Sequence, residues 1–154
     1  MTPADLLPAE TASADETVAL GRRLAATLEP GDVVALSGDL GAGQTHLAKG
    51  IAAGLGVPPE SVTSPTFALV QEHGDGALLH LDLYRIESGE EAGRLGLGEL
   101  LDGDAVALVE WPERAAGWLP ARTVWLRLVH LGGDRRRVEG AGPPGETPGA
   151  PSSP

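Results

Sequence analysis

Apolar positions along this chain switch between two spacings, and the switches mark out its elements. Asp32-Val33-Val34-Ala35-Leu36 is a short apolar, β-branched run of the kind a strand buried on both faces requires. Leu47, Ala48, Ile51, Ala52 and Leu55 then recur at helical spacing, which predicts strand, loop and helix in that order. Upstream, Val18, Gly21, Leu24, Ala25 and Leu28 mark one face of an earlier helix. Downstream, the leucines of Leu79-His80-Leu81-Asp82-Leu83-Tyr84 alternate with polar residues, so His80, Asp82 and Tyr84 share one face of a strand. Ala105-Val106-Ala107-Leu108-Val109 is a second buried strand, Thr123 to Val129 alternates like a strand with one half-exposed face, and Arg135 to Glu139 adds a short last one.

Polar residues punctuate this pattern. Ser13-Ala14-Asp15-Glu16 and Ser88-Gly89-Glu90-Glu91 have the form of capping boxes and open helices. Pro30-Gly31 ends the first helix. Gly54-Leu55-Gly56 closes the second, and Pro58-Pro59 stops it from resuming. His73-Gly74-Asp75-Gly76 is a turn between two strands, and Leu97 to Leu101 is a short helical piece stopped by Asp102-Gly103. Residues 1–12 read as a flexible leader and 13–139 as the folded domain. Residues 140–154, rich in Gly, Pro, Ser and Glu without apolar periodicity, read as a disordered tail.

Composition narrows the picture. At 154 residues the chain is long enough for one domain with a core, and with 3% aromatics that core must be built from Leu, Val and Ala. The absence of cysteine excludes disulfides and thiolate metal sites. Met1 to Glu10 lacks the basic start and apolar run of a signal peptide, and no apolar stretch is long enough to span a bilayer. A soluble, cytoplasmic protein with no membrane partner is expected. A formal net charge of -11 repels phosphate backbones at long range, so a nucleic-acid role is expected to run through partner proteins.

The candidate chemistry begins at Gly38-Asp39-Leu40-Gly41-Ala42-Gly43-Gln44-Thr45, between the first strand and the second helix. It has the spacing of a phosphate-binding loop, with Gln44 where that loop carries lysine. Glycines there turn successive backbone N–H groups onto phosphates, and the following helix dipole adds to the attraction. An ordinary glycine-rich turn fits the loop alone equally well. The fold expected is α/β, a P-loop NTPase-like, mostly parallel sheet with flanking helices and an antiparallel hairpin around Gly74 to Gly76. Ser61 to Thr66 carries four hydroxyls around Pro65, the composition either of a plain loop or of a switch segment that orders on a γ-phosphate and its metal. Asp82 in mid-strand needs a partner, either nucleotide-bound magnesium or Arg85. Glu110 leaves the Ala105 to Val109 strand at its carboxyl end, where α/β sheets hold ligands. It is a candidate metal ligand or water-positioning base, with a salt bridge to Arg114 as the plainer role.

Four segments in this order resemble the TsaE family, small bacterial P-loop ATPases required for threonylcarbamoyladenosine in tRNA. They are Gly38 to Gly43, Ser64-Pro65-Thr66-Phe67-Ala68-Leu69-Val70, His80-Leu81-Asp82-Leu83-Tyr84-Arg85-Ile86 and Glu110-Trp111-Pro112-Glu113, and the likeness covers Asp15 to about Val138. The resemblance implies an ATPase working with a threonylcarbamoyl transferase subunit and its inactive-protease-like companion, and meeting tRNA only through that complex. It implies ATP and Mg²⁺ as cofactors. Leu40, Gly41, Ala42, Gly43, Gln44 and Thr45 would hold the phosphates, and Thr45, Asp82 and Glu110 the metal. Thr66 would sit in the switch-like segment, Trp111 near the nucleotide, and Glu16 and Arg135 toward the base. The family has Lys-Thr-Thr where this chain has Gln44-Thr45-His46. A neutral amide donates hydrogen bonds but does not offset the charge of phosphoryl transfer, so slow or absent hydrolysis is expected. Two further readings are a nucleotide-sensing interaction module without catalysis and a P-loop small-molecule kinase.

Overall fold

The computed structural model describes residues 1–38, 43–62 and 70–142. In chain order its elements are β1 (Ala9–Thr11), α1 (Ala14–Ala25), β2 (Val33–Gly38), α2 (Gln44–Gly54), β3 (Val70–His73), β4 (Leu78–Asp82), α3 (Gly89–Arg94), α4 (Leu97–Leu100), β5 (Val106–Glu110), β6 (Val124–Gly132) and β7 (Arg135–Ala141). Short 3₁₀ turns cover Pro3–Leu6, Pro59–Ser61 and Pro112–Trp118. The strands form one mixed sheet in the order β1-β7-β6-β2-β5-β4-β3. β6, β2, β5 and β4 run parallel at its centre, where the continuous apolar runs are buried on both sides. The β3-β4 hairpin is antiparallel, as the Gly74 to Gly76 turn requires. A second antiparallel edge, β6-β7-β1, lies at the opposite end.

Alternate side chains of the same strands enter two separate cores. Val34, Leu36, Leu78, Leu108, Leu126 and Leu128 pack with Leu20 and Leu24 of α1 and Leu47 and Ile51 of α2. Val33, Leu79, Leu81, Leu83, Ala107 and Val109 pack on the other side with Ala92, Leu97, Leu101 and Ala115. Both sequence-predicted caps form: Ser13 Oγ accepts from Glu16 N–H at 3.1 Å, and Ser88 Oγ from Glu91 N–H at 3.2 Å. α1 meets α2 backbone to backbone. A Cβ on Gly21 would stand 2.5 Å from the Leu47 carbonyl oxygen, and one on Gly50 would overlap the Val18 carbonyl oxygen. α2 ends as expected, with Gly56 at φ +82 and Val57 N–H bonded back to the Ala52 carbonyl at 2.9 Å.

The structure differs from the sequence reading at both ends of the domain. Ala9–Thr11, assigned to a flexible leader, pairs with β7, and Thr11 is tied to Thr17 of α1 by a buried 2.7 Å hydroxyl contact. Three residues are too few to display an alternation, and the pairing partner lies 125 positions or more downstream (Thr11 to Arg136). β7 also runs to Ala141, so the domain passes the expected boundary at residue 139. At the start of α1 it is Thr17 that is buried, whereas Val18 is only half-buried, with its carbonyl facing Gly50 of α2.

Candidate functional site

Asp82 closes β4 and Glu110 closes β5, and the two are direct partners in the parallel register. They share the strand face of Leu78 and Leu108, so both acids stand at the carboxyl edge of the sheet on the side covered by α2. β2 ends at Gly38 beside them, since Leu36 is the other register partner of Glu110. α2 then starts at Gln44, with Gly43 as its N-cap in the left-handed conformation at φ +97. Among the described residues no side chain caps this helix, and no acid lies in its first turn. Its leading amides therefore face outward as a concentration of positive potential. Gln44 is 9% exposed and Thr45 half-buried within that turn.

Neither acid is held by the arginine that a purely structural role offered. Glu110, 5% exposed, bonds through Oε2 to Nε2 of His80, 1% exposed, at 2.5 Å. Arg114 lies instead over the Tyr84 ring, 5.9 Å from its centroid. Among the described residues no ion pair joins Asp82 to Arg85; Asp82 Oδ1 accepts from Tyr84 N–H at 3.0 Å. Burial pushes the Asp82 carboxyl above its ordinary pKa, the Tyr84 N–H opposes this, and the nearby Glu110 charge adds to the rise. Among the described residues no trio of His, Asp and Glu is grouped closely enough to hold a metal alone. Mg²⁺ takes one or two carboxylates and completes its shell with water and phosphate oxygens, so the pair of acids suits it where a full protein cage is lacking.

The remaining candidates divide. Leu40, Gly41, Ala42 and Thr66 lie outside the described residues. Trp111 takes φ 58 and packs against the second core, tilted on Tyr84 with ring centroids 5.0 Å apart. A left-handed non-glycine next to a buried acid is the kind of backbone strain that collects at functional sites. Glu16 caps α1, its Oε1 accepting from Ala12 N–H at 3.1 Å. Arg135 is exposed on β7. Its neighbour Arg136 is the residue that enters the region. A shallow cleft is lined by Ala14, Thr17, Gly43, His46, Asp134 and Arg136, and a Cβ on Gly43 would lie 3.2 Å from Arg136 Nε. Parity along β7 carried this signal: Arg136 is two residues from the buried Val138, so both share the α2 side, while Arg135 and Arg137 take the other.

A strand, a glycine loop and a helix, with paired acids at the ends of the neighbouring strands on the helix's own side, define a P-loop-type α/β protein. The family model described as threonylcarbamoyl adenosine biosynthesis protein TsaE matches residues 11–138. The chain is 42% identical over 130 residues to the tRNA threonylcarbamoyladenosine biosynthesis protein TsaE of Bacillus subtilis, covering 83% of this chain and 80% of that one. It is 46% identical over 120 residues to the protein of the same name from Streptomyces coelicolor, covering 75% and 80%. The crystal structure of Bacillus subtilis YdiB superposes with a TM-score of 0.70 at 37% identity, over 86% of this chain and 82% of that one. This chain belongs to the TsaE family.

Proposed function

We propose that this protein serves threonylcarbamoyladenosine formation in tRNA as an ATP-binding accessory ATPase, working with a threonylcarbamoyl transferase and its protease-like companion. Family membership supports the pathway. The observation that carries the nucleotide is the register pairing of Asp82 with Glu110 beside the start of α2, which no side chain caps among the described residues. In this reading the amides leading α2 hold the phosphates, and the Thr45 hydroxyl, Asp82 and Glu110 hold Mg²⁺ or its water shell. Bound Mg²⁺ offsets phosphate charge and orients the terminal phosphate toward water. Gln44 donates a hydrogen bond where a lysine would add a charge, and Arg136 brings a guanidinium to Gly43 at the same helix end.

Calorimetric titration with ATP and ADP, with and without Mg²⁺, tests the binding. ATP is expected to bind, and more tightly with Mg²⁺. Asp82→Ala and Glu110→Ala are each expected to remove about tenfold or more of that gain, the worth of one charge-assisted contact. A chain that takes up no ATP in either condition contradicts the proposal. Gln44 favours a second reading, a nucleotide-sensing module without chemistry, because losing a transition-state donor commonly costs about a hundred- to a thousandfold in rate. Single-turnover phosphate release, measured with both partner proteins and tRNA present, separates the two.

A further inference from the structure

Each acid at the sheet edge has one oxygen engaged by the protein. Asp82 Oδ1 accepts from Tyr84 N–H, and Glu110 Oε2 takes the His80 ring. Asp82 Oδ2 and Glu110 Oε1 have no hydrogen-bond partner among the described residues. The two anchors differ in kind. One is main chain, delivered by the end of β4. The other is an imidazole at a position where apolar packing would serve the core better, since Leu78, two residues earlier on the same face, is fully buried.

The ring makes one hydrogen bond among the described residues. Its Nδ1 is buried with no partner among the described residues. A carboxylate oxygen only accepts, so Nε2 is the donor of the contact. Among the described residues the ring's one polar act is to hold Glu110. Glu110 needs such a hold more than Asp82 does, having one more rotatable bond between backbone and carboxylate.

We propose that His80 is the positioning residue of this site. By engaging Oε2 it fixes the Glu110 carboxylate so that Oε1 is presented, together with Asp82 Oδ2, to the magnesium of a bound nucleotide or to its water. This rests on the nucleotide reading above and adds a residue to it. A purely structural role would make the His80–Glu110 contact a means of filling the core, and magnesium would not register its loss.

The contrast is drawn by His80→Gln, whose amide nitrogen extends to where Nε2 stands, against His80→Asn and His80→Leu, which withdraw the donor. ATP affinity is measured by calorimetry with and without Mg²⁺, beside a thermal melt of each variant. Affinity without Mg²⁺ is expected to stay within about twofold in all three. The gain on adding Mg²⁺ is expected to survive in His80→Gln and to fall by about tenfold or more in His80→Asn and His80→Leu, the usual scale for residues that orient metal ligands. Retention of the gain in His80→Asn overturns the proposal, as does an equal loss in His80→Gln and His80→Asn that follows their melting temperatures. Should His80→Leu not fold, the Gln and Asn pair still decides. If the unsubstituted protein binds no ATP, the nucleotide reading falls and takes this one with it; if it binds ATP and the variants keep the gain, only the role of His80 falls.

Discussion

The two faces of β4 carry opposite burdens, although their residues alternate along a single short strand. Leu79, Leu81 and, just beyond, Leu83 point into the core beneath α3 and α4 and contribute packing alone. Leu78, His80 and Asp82 point toward α2, and along that row the chain passes from apolar to buried polar to a half-buried acid at the sheet edge. β5 repeats the pattern, with Ala107 and Val109 on one side and Val106, Leu108 and Glu110 on the other. A strand gives one face to stability and the other to chemistry without any insertion, because the side-chain period is two. Substitutions on the two faces should therefore report different quantities.

The largest effect tests the packing face. Leu81 is fully buried, so Leu81→Ala is expected to cost about 2 to 5 kcal/mol in denaturant unfolding. Its affinity for ATP should stay near that of the unsubstituted protein wherever the variant is folded. A folded Leu81→Ala protein that has lost ATP binding would break the division. Next comes Gln44→Lys on the α2 side, which restores a charge-assisted contact and should tighten ATP by about 1.5 to 3 kcal/mol, with faster turnover. If affinity and turnover both stay put, Gln44 does not touch the phosphates.

The smallest effect lies in pH. The folded Asp82 carboxyl titrates above its ordinary value of 3.8, chiefly through burial. The native state then holds that proton more tightly than the unfolded chain, so stability from this group is lost as pH rises from near 3.8 through the folded value. In nucleotide-free protein, Asp82→Asn is expected to melt higher than the unsubstituted chain at neutral pH, and the advantage should disappear below about pH 3.8. Measuring both melting temperatures between pH 3 and 7 checks the sign. An advantage that persists unchanged at pH 3 would mean that the charge is not its source.

Local patterns revealed most of this arrangement. The runs at Val33 to Leu36 and Val106 to Val109 named the sheet centre, because strands buried on both faces need no partner to be recognised. The alternation through His80 and Asp82 already placed both on one side. What escaped was non-local. β1 is defined by pairing with a strand at the other end of the domain. The His80–Glu110 contact joins residues 30 positions apart, and in the sequence Arg114 was the nearer and equally plausible partner for the acid. Arg136 was missed for Arg135 because a run of three arginines hides which one shares the parity of Val138.

The glycine contact between α1 and α2 has a mechanical consequence. Where helices meet through side chains, a rotamer change absorbs a small slip; at Gly21 and Gly50 there is only main chain on both sides. The helix that leads from the glycine loop is thus seated on a rigid bearing rather than a cushion, and its roll about its own axis is set by residues far from any phosphate. Added bulk at that bearing would turn the leading amides away from the two acids while leaving every group of the site in the chain.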